Sequence, residues 1–261
     1  MPKRYSPDDV SCSFDREELI AELAAMLAAA PKIAFLTGAG ISTESGIPDF
    51  RSSTGIYQTT SEELFAIDGF LRDPEKFYAA FADFYRVMTA AAPNRGHRAI
   101  AELEERCGKD VEVVTQNIDG LHSAAGSTKV REIHGTLRFA SCLDCGKRYA
   151  REYFHNDMLA GKAPRCACGG LLKPDVVFYG EDLPASEFNA ARRAMWDTKL
   201  LVVAGTSLQV YPAAGLPRDC DAGAPFVVVN KTPTPLDYQA SLVFYDAIGD
   251  VLPAAVAAIA R

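Results

Sequence analysis

Four of the seven cysteines fall close together, as Cys142-x-x-Cys145 and Cys166-x-Cys168 with 20 residues between the pairs. Two close pairs of thiolates make a tetrahedral zinc site, and four protein sulfurs leave no open position, so the ion is expected to be structural. The second pair has one intervening residue where the usual ribbon has two. Seven is an odd number for a disulfide framework, and Cys12, Cys107 and Cys220 read as ordinary thiols.

A second cluster could do different chemistry. Thr37-Gly38-Ala39-Gly40-Ile41-Ser42-Thr43 follows the apolar run 33–36 and sets two glycines two apart, which lets backbone approach a pyrophosphate. Thr43 stands at the third glycine position of a dinucleotide fingerprint, and alone the loop also reads as a tight strand-to-helix turn. Downstream, Pro48-Asp49-Phe50-Arg51 joins a rigid residue, a carboxylate, an aromatic face and a guanidinium, a set suited to closing over a ring and a phosphate-bearing chain. Gln116-Asn117-Ile118-Asp119, Gly205-Thr206-Ser207 and Asn230 each end another apolar run, where a bland reading makes them turn caps and strand-end polarity. His134-Gly135 follows the run 130–133, and a lone histidine is as readily structural as a base. His97 and His155 look structural, and His122 is either behind the Gln-Asn-Ile-Asp motif or at the surface.

The elements that must position these groups follow from periodicity. Segments 14–30 (with Ser13 as cap), 74–91, 94–107 and 186–197 repeat apolar residues at helical spacing. Runs 33–36, 111–115, 200–204 and 225–229 are short and continuously apolar, as buried parallel strands are. Their alternation predicts an α/β fold, a Rossmann-like parallel sheet with helices on both faces and ligands at the strands' C-terminal ends. Residues 136–172 break the rhythm and read as a small inserted zinc-ribbon module between 14–135 and 173–261, the two parts of a discontinuous Rossmann-like domain.

Bulk properties exclude other classes. With 48% hydrophobic and 23% charged residues the 261-residue chain should be globular. A formal charge of −7 and no basic patch argue against nucleic acid and anionic membranes. The apolar stretches 24–36 and 252–260 are too short to span a bilayer and the N-terminus lacks a secretory pattern, so a cytoplasmic protein is expected.

The ordered set Gly38-Ala39-Gly40-Ile41-Ser42, Gly46-Ile47-Pro48-Asp49-Phe50-Arg51, Thr115 to His122, His134-Gly135, Phe178-Tyr179-Gly180-Glu181, Gly205-Thr206-Ser207-Leu208 and Asn230 closely resembles the sirtuin family of NAD-dependent protein deacylases, over roughly residues 20 to 255. That resemblance implies NAD as co-substrate, structural zinc, and removal of acyl groups from lysine with release of nicotinamide and O-acyl-ADP-ribose. It makes His134 the general base and gives Asn117 and Asp119 catalytic positions, with Asp119 accepting from the carboxamide while Gln116 and Asn117 address the ribose. It places Gly38, Ala39, Gly40, Ser42, Asp49, Phe50, Arg51, Tyr57, Ile118, Gly205, Thr206, Ser207, Asn230, Lys231 and Ile248 around the cofactor, Phe50 over the vacated nicotinamide side and Arg51 on the phosphates. Val176, Val177, Phe178, Tyr179 and Gly180 resemble the substrate strand, where an acyl-lysine peptide could add as a strand.

Relatives that take acidic acyl chains carry a Tyr-x-x-Arg pair before Pro-Asn-x-x-His; here those positions are Phe81 and Phe84, so succinyl is disfavoured and acetyl or longer neutral chains fit. The competing readings are an NAD hydrolase or mono-ADP-ribosyltransferase using the same pocket, and a non-catalytic binding module, against which His134, Asn117 and Asp119 speak. Thr43 argues against an ordinary dehydrogenase. A monomer is expected.

Overall fold

The computed structural model describes residues 2–8, 14–53, 55–58, 61–221 and 223–259. Cys12 and the helix-cap candidate Ser13 lie outside them. Asp15 caps the first helix instead, its carboxylate accepting from the backbone N–H groups of Glu17 and Glu18.

Among the described residues ten strands form two sheets. They are β1 (Lys3–Tyr5), β2 (Lys32–Thr37), β3 (Asp110–Thr115), β4 (Val130–Glu132), β5 (Gly135–Cys142), β6 (Arg148–Ala150), β7 (Leu172–Val176), β8 (Leu200–Ala204), β9 (Phe226–Val229) and β10 (Leu242–Phe244). The larger sheet is parallel throughout, in the order β1-β10-β9-β8-β2-β3-β4. Its central strand β8 is buried at every position, which is why Leu-Leu-Val-Val-Ala is continuously apolar rather than alternating. The smaller sheet is antiparallel, in the order β6-β5-β7.

The α-helices that accompany the sheets are α1 (Arg16–Ala29), α2 (Ile67–Arg72), α3 (Pro74–Ala90), α4 (Arg95–Glu105), α5 (Leu121–Ala125), α6 (Arg151–Leu159), α7 (Ala185–Asp197) and α8 (Ile248–Ile259). One face of the large sheet packs against α1, α4 and α8 through residues such as Leu23, Ile100 and Val251. The opposite face packs against α7 and the short helix Ala213–Asp219, through Ala191, Met195 and Leu216. Helices on both faces give the Rossmann-like arrangement expected from the strand–helix alternation. Among the described residues no helix is long and apolar enough to cross a membrane.

A third core sits beside the small sheet. Phe77, Tyr78, Phe81 and Tyr85 of α3 and Phe70 of α2 join Tyr149, Phe154, Met158 and Leu172 there. Periodicity identifies α3 as a helix but not the surface it covers; its apolar stripe faces the small sheet and α6, so segments on both sides of β3 build this core. Strand β1, three residues long and too short to show a period, completes the edge beside β10.

Candidate active site

The glycine loop leaves the C-terminal end of β2 between its neighbours β3 and β8 in the sheet, the place where the chain order of strands diverges and open α/β sheets hold ligands. Gly40 N–H donates to Gly205 C=O at 2.8 Å, and a Cβ added at Gly40 would lie 2.8 Å from Gly205 Cα and O. Gly205 itself has φ +68°, and a Cβ added there would lie 2.3 Å from Ile41 N and 2.6 Å from Gly40 C, so two glycines from different strand ends permit this approach. Past Gly40 the chain forms a short 3₁₀ helix, Ala39–Ser45, closed by Gly46 at φ +85°. The loop opens into this short 3₁₀ helix rather than a long α-helix, so the third glycine, which serves close packing of such a helix on its strand, is not required. Thr43 instead returns its hydroxyl to Gly40 C=O at 2.9 Å.

The strand ends and the small sheet enclose a cleft of ≈ 1140 Å³. Every residue assigned above to catalysis, cofactor or peptide lines it: Gly38, Ala39, Gly40, Ser42, Asp49, Phe50, Arg51, Tyr57, Gln116 through Asp119, His134, Val176 through Gly180, Gly205, Thr206, Ser207, Asn230, Lys231 and Ile248. The cleft also includes Phe65, Met88, Leu137 and the turn Gln209 to Pro212, which the motifs did not single out. Phe65 carried no sequence signal, whereas Met88 lies one helical period beyond Phe81 and Phe84 on α3.

His134 lies between β4 and β5. Its Nδ1 is 3.1 Å from Gln116 C=O, and since a carbonyl only accepts, Nδ1 holds the proton and the Nε2 lone pair is left free. Burial lowers its pKa below the ordinary 6.5, partly opposed by that hydrogen bond. Asp119 is pushed the other way: burial raises its pKa, while the Leu121 N–H at 2.9 Å and the Ser42 hydroxyl at 2.7 Å oppose the rise.

Asn117 spends its amide N–H groups on Gly38 C=O at 3.1 Å and Ser42 Oγ at 3.0 Å, and Gln116 donates to Thr206 Oγ1 at 2.9 Å. Both side chains are therefore locked by the loops they join. Asn230 likewise donates to Thr232 C=O at 2.6 Å. Phe50 packs its ring against Tyr57, Phe65 and Phe84, and the Tyr57 and Tyr179 hydroxyls meet at 2.8 Å, closing one side of the cleft.

The family model described as "Sir2 family" matches residues 38–212. The chain belongs to the Sir2 family. The Bacillus cereus (strain ATCC 14579) "NAD-dependent protein deacetylase" is 42% identical over 235 residues, covering 88% of this chain and 93% of that protein. A namesake from Chromobacterium violaceum is 44% identical over 227 residues, covering 85% and 90% respectively. Among solved structures, one described under "Structural Basis for the Mechanism and Regulation of Sir2 Enzymes" superposes with TM-score 0.85 at 41% identity, covering 93% of this chain and 98% of that one. "Sir2Tm bound to a propionylated peptide" superposes with TM-score 0.80 at 38% identity, covering 88% and 94%.

In this Sir2 chain the four clustered cysteines converge. Their sulfurs lie within 4.8 Å of one another, with Cys142–Cys168, Cys145–Cys166 and Cys145–Cys168 at 3.6, 3.6 and 3.5 Å. A disulfide needs about 2.05 Å, whereas sulfurs at the corners of a tetrahedron about 2.3 Å from zinc are separated by about 3.8 Å. The sulfurs fit the metal. The shorter Cys-x-Cys pair is accommodated by Gly169 at φ +91° and by Gly170, where an added Cβ would lie 2.7 Å from Cys142 Sγ. The backbone N–H of Cys168 and the Tyr149 hydroxyl draw the Cys166 thiol down to about 6, whereas at Cys168 the Gly170 N–H is outweighed by the neighbouring sulfurs, which push that thiol up to about 12.

Of the other histidines of this Sir2 protein, His97 and His122 are interior and His155 is half-buried. His122 is 1% exposed, its Nε2 2.9 Å from Thr37 Oγ1, which excludes a surface position. His155 meets the Tyr85 hydroxyl at 2.9 Å, and His97 is fully buried in the first turn of α4. Burial lowers His97 to about 4 from 6.5. An unfolded chain binds that proton first, so the stabilisation is complete above pH 6.5 and is lost as pH falls toward 4. The thermal midpoint should drop steadily between pH 7 and 5, with His97 contributing up to about 3 kcal/mol over the full range; a midpoint independent of pH across that window would contradict the burial of neutral imidazoles.

Proposed function

We propose that this protein is an NAD-dependent protein-lysine deacylase, with acetyl and longer neutral acyl groups as its substrates. The carrying observation is His134, whose Nε2 is unprotonated and whose neighbours in one cleft are Asp119, Asn117 and an aromatic wall. When bound, NAD supplies an electrophilic ribose carbon with nicotinamide as its leaving group. Asp119 and Asn117 orient the nicotinamide end, Gln116 and Asn117 face the ribose, and the glycines 38 and 40 admit the phosphates close to backbone. Arg51 steadies the phosphates, and Thr206, Ser207, Asn230 and Lys231 hold the adenosine side. His134 Nε2 takes a proton from a ribose hydroxyl, and Phe50 shields that face from water. Zinc in the four-cysteine site fixes the fold of the small module rather than entering the reaction.

The peptide lies against residues 176–180. Tyr179 N–H and C=O are paired with Phe65 C=O and Ile67 N–H at 2.8 and 2.9 Å, so a peptide adding as a strand uses the opposite edge or replaces this bridge. The acyl group meets Phe81, Phe84 and Met88, three residues on one face of α3. Tyr85 turns away to His155, and Arg86 is occupied by Asp83 and Leu159 C=O, so this wall presents no cation.

Four thiolates and a spent dinucleotide suit a reducing, NAD-producing cytoplasm. The net charge of −7 favours protein over nucleic-acid partners.

The test is mass spectrometry of acyl-lysine peptides with and without NAD. Acetyl, propionyl and butyryl peptides should lose their acyl groups only when NAD is present. Succinyl turnover should be about 100-fold slower in kcat/KM, because its carboxylate would be buried against rings without a partner. Nicotinamide release without deacylation would favour an NAD hydrolase or ADP-ribosyltransferase, and equal succinyl turnover would refute the apolar wall.

A further inference from the structure

Behind the cleft, half-buried Asn94 and fully buried His97 form a polar pair that the proposed chemistry does not use. Asn94 caps α4, and its backbone N–H points at His97 Nδ1 at 3.4 Å, completing a capping box. A nitrogen that accepts a backbone N–H carries no proton, so neutral His97 holds its proton on Nε2. That Nε2 is 3.5 Å from Ser42 Oγ.

Ser42 Oγ then has a complete set of neighbours: Nε2–H of His97, Nδ2–H of Asn117 at 3.0 Å, and the Asp119 carboxylate at 2.7 Å. With two donors on its oxygen, the serine hydroxyl has one direction left for its own proton, toward Asp119. We propose that His97 is a positioning residue: its Nε2–H fixes the direction in which Ser42 donates, and so holds Asp119 as the charged acceptor for the nicotinamide carboxamide. The role assigned to Asp119 rests on the deacylase reading; the coupling of His97 to Asp119 does not.

The surroundings keep His97 in this form. His122 lies edge-on with ring centroids 4.8 Å apart, buried and neutral, and a proton on either ring disfavours one on the other. From β4, Glu132 is the charged group that faces Asp119, and it is itself paired with Arg138. His97 is thus the donor nearest Ser42 from α4, and its protonation would forfeit the cap and place a buried charge beside His122.

Two substitutions separate holding the helix from directing the serine. In His97→Asn the amide oxygen can accept the Asn94 N–H, but the side chain is too short to reach Ser42. In His97→Gln one side chain can do both. The Asp119 carboxyl carbon is titrated by NMR in full-length, 13C-aspartate-labelled protein without NAD, with Asp119→Asn for assignment. The midpoint should rise by about 0.7 pH unit in His97→Asn and return to the wild-type value in His97→Gln. Where the protein deacylates, kcat/KM for NAD should fall about 5-fold in the first and recover in the second.

An unshifted midpoint in His97→Asn, or an equal shift in both variants, overturns the inference. The 15N shifts of wild-type His97 decide it without any variant, since a proton found on Nδ1 is incompatible with it. Failure of the deacylase reading would appear separately, as a wild-type protein without NAD-dependent turnover.

Discussion

Replacement of His134 by alanine is expected to lower kcat/KM for deacetylation by about 10²–10⁴-fold, the range lost when a general base is removed. The size of the effect follows from how the imidazole is held. Gln116 C=O takes the Nδ1 proton, so the ring needs no tautomeric change before Nε2 accepts from a substrate hydroxyl. Burial lowers the pKa below 6.5, so the basic form prevails at neutral pH and is lost only as pH falls through that lowered value. Wild-type activity should therefore hold from pH 8 to below 6.5 and decline beyond. Among the described residues the ring's hydrogen bond is to Gln116 C=O and it belongs to none of the hydrophobic cores, so the melting temperature of His134→Ala should stay within about 3 °C of wild type. A variant that folds and retains more than a tenth of wild-type kcat/KM would remove His134 from the mechanism.

The parts of this site legible in the sequence were those fixed by local chemistry. Glycines 38 and 40 announced a close backbone approach, and the partner they approach is Gly205, about 165 residues later, visible only once β2 and β8 are seen side by side. The runs at β2, β3, β8 and β9 were readable because strands buried on both faces need continuous apolar residues. Strand β1 was not, because Lys3–Tyr5 is three residues long and owes its conformation to the ladder with β10. His97 and His122 show the same limit. Composition places a histidine near a helix start or after a motif, but the tautomer of His97 is set by a cap four residues wide and its purpose by Ser42, half a domain away in sequence. The stripe Phe77, Phe81, Phe84 and Met88 was readable as helical; that it covers the small sheet on one side and lines the cleft on the other depends on tertiary packing.

That packing makes metal removal the second large effect. Cys142 and Cys166 are buried in the same core as Tyr149, Phe154 and Leu172, and this core extends without a break to Phe77, Phe81 and Tyr85 of α3. β7, whose first residue pairs with Cys142, runs directly into the peptide-facing segment 176–180. Loss of the ion would remove the centre shared by four sulfurs that lie within 4.8 Å of one another, and so untie the two cysteine turns from each other. Structural zinc contributes about 10–16 kcal/mol to small folded modules, comparable with the 5–15 kcal/mol net stability of a whole domain. Chelation, or Cys145→Ser at an exposed ligand, is accordingly expected to lower the melting temperature by at least about 10 °C and deacylation by more than about 10-fold, although no cysteine lines the cleft. Elemental analysis of the purified protein should find one zinc per chain, and chelated protein should regain both properties when zinc is returned. Full activity and an unchanged melting curve in metal-free protein would show that the cysteine cluster stands without an ion and that the acyl wall is held by α3 alone.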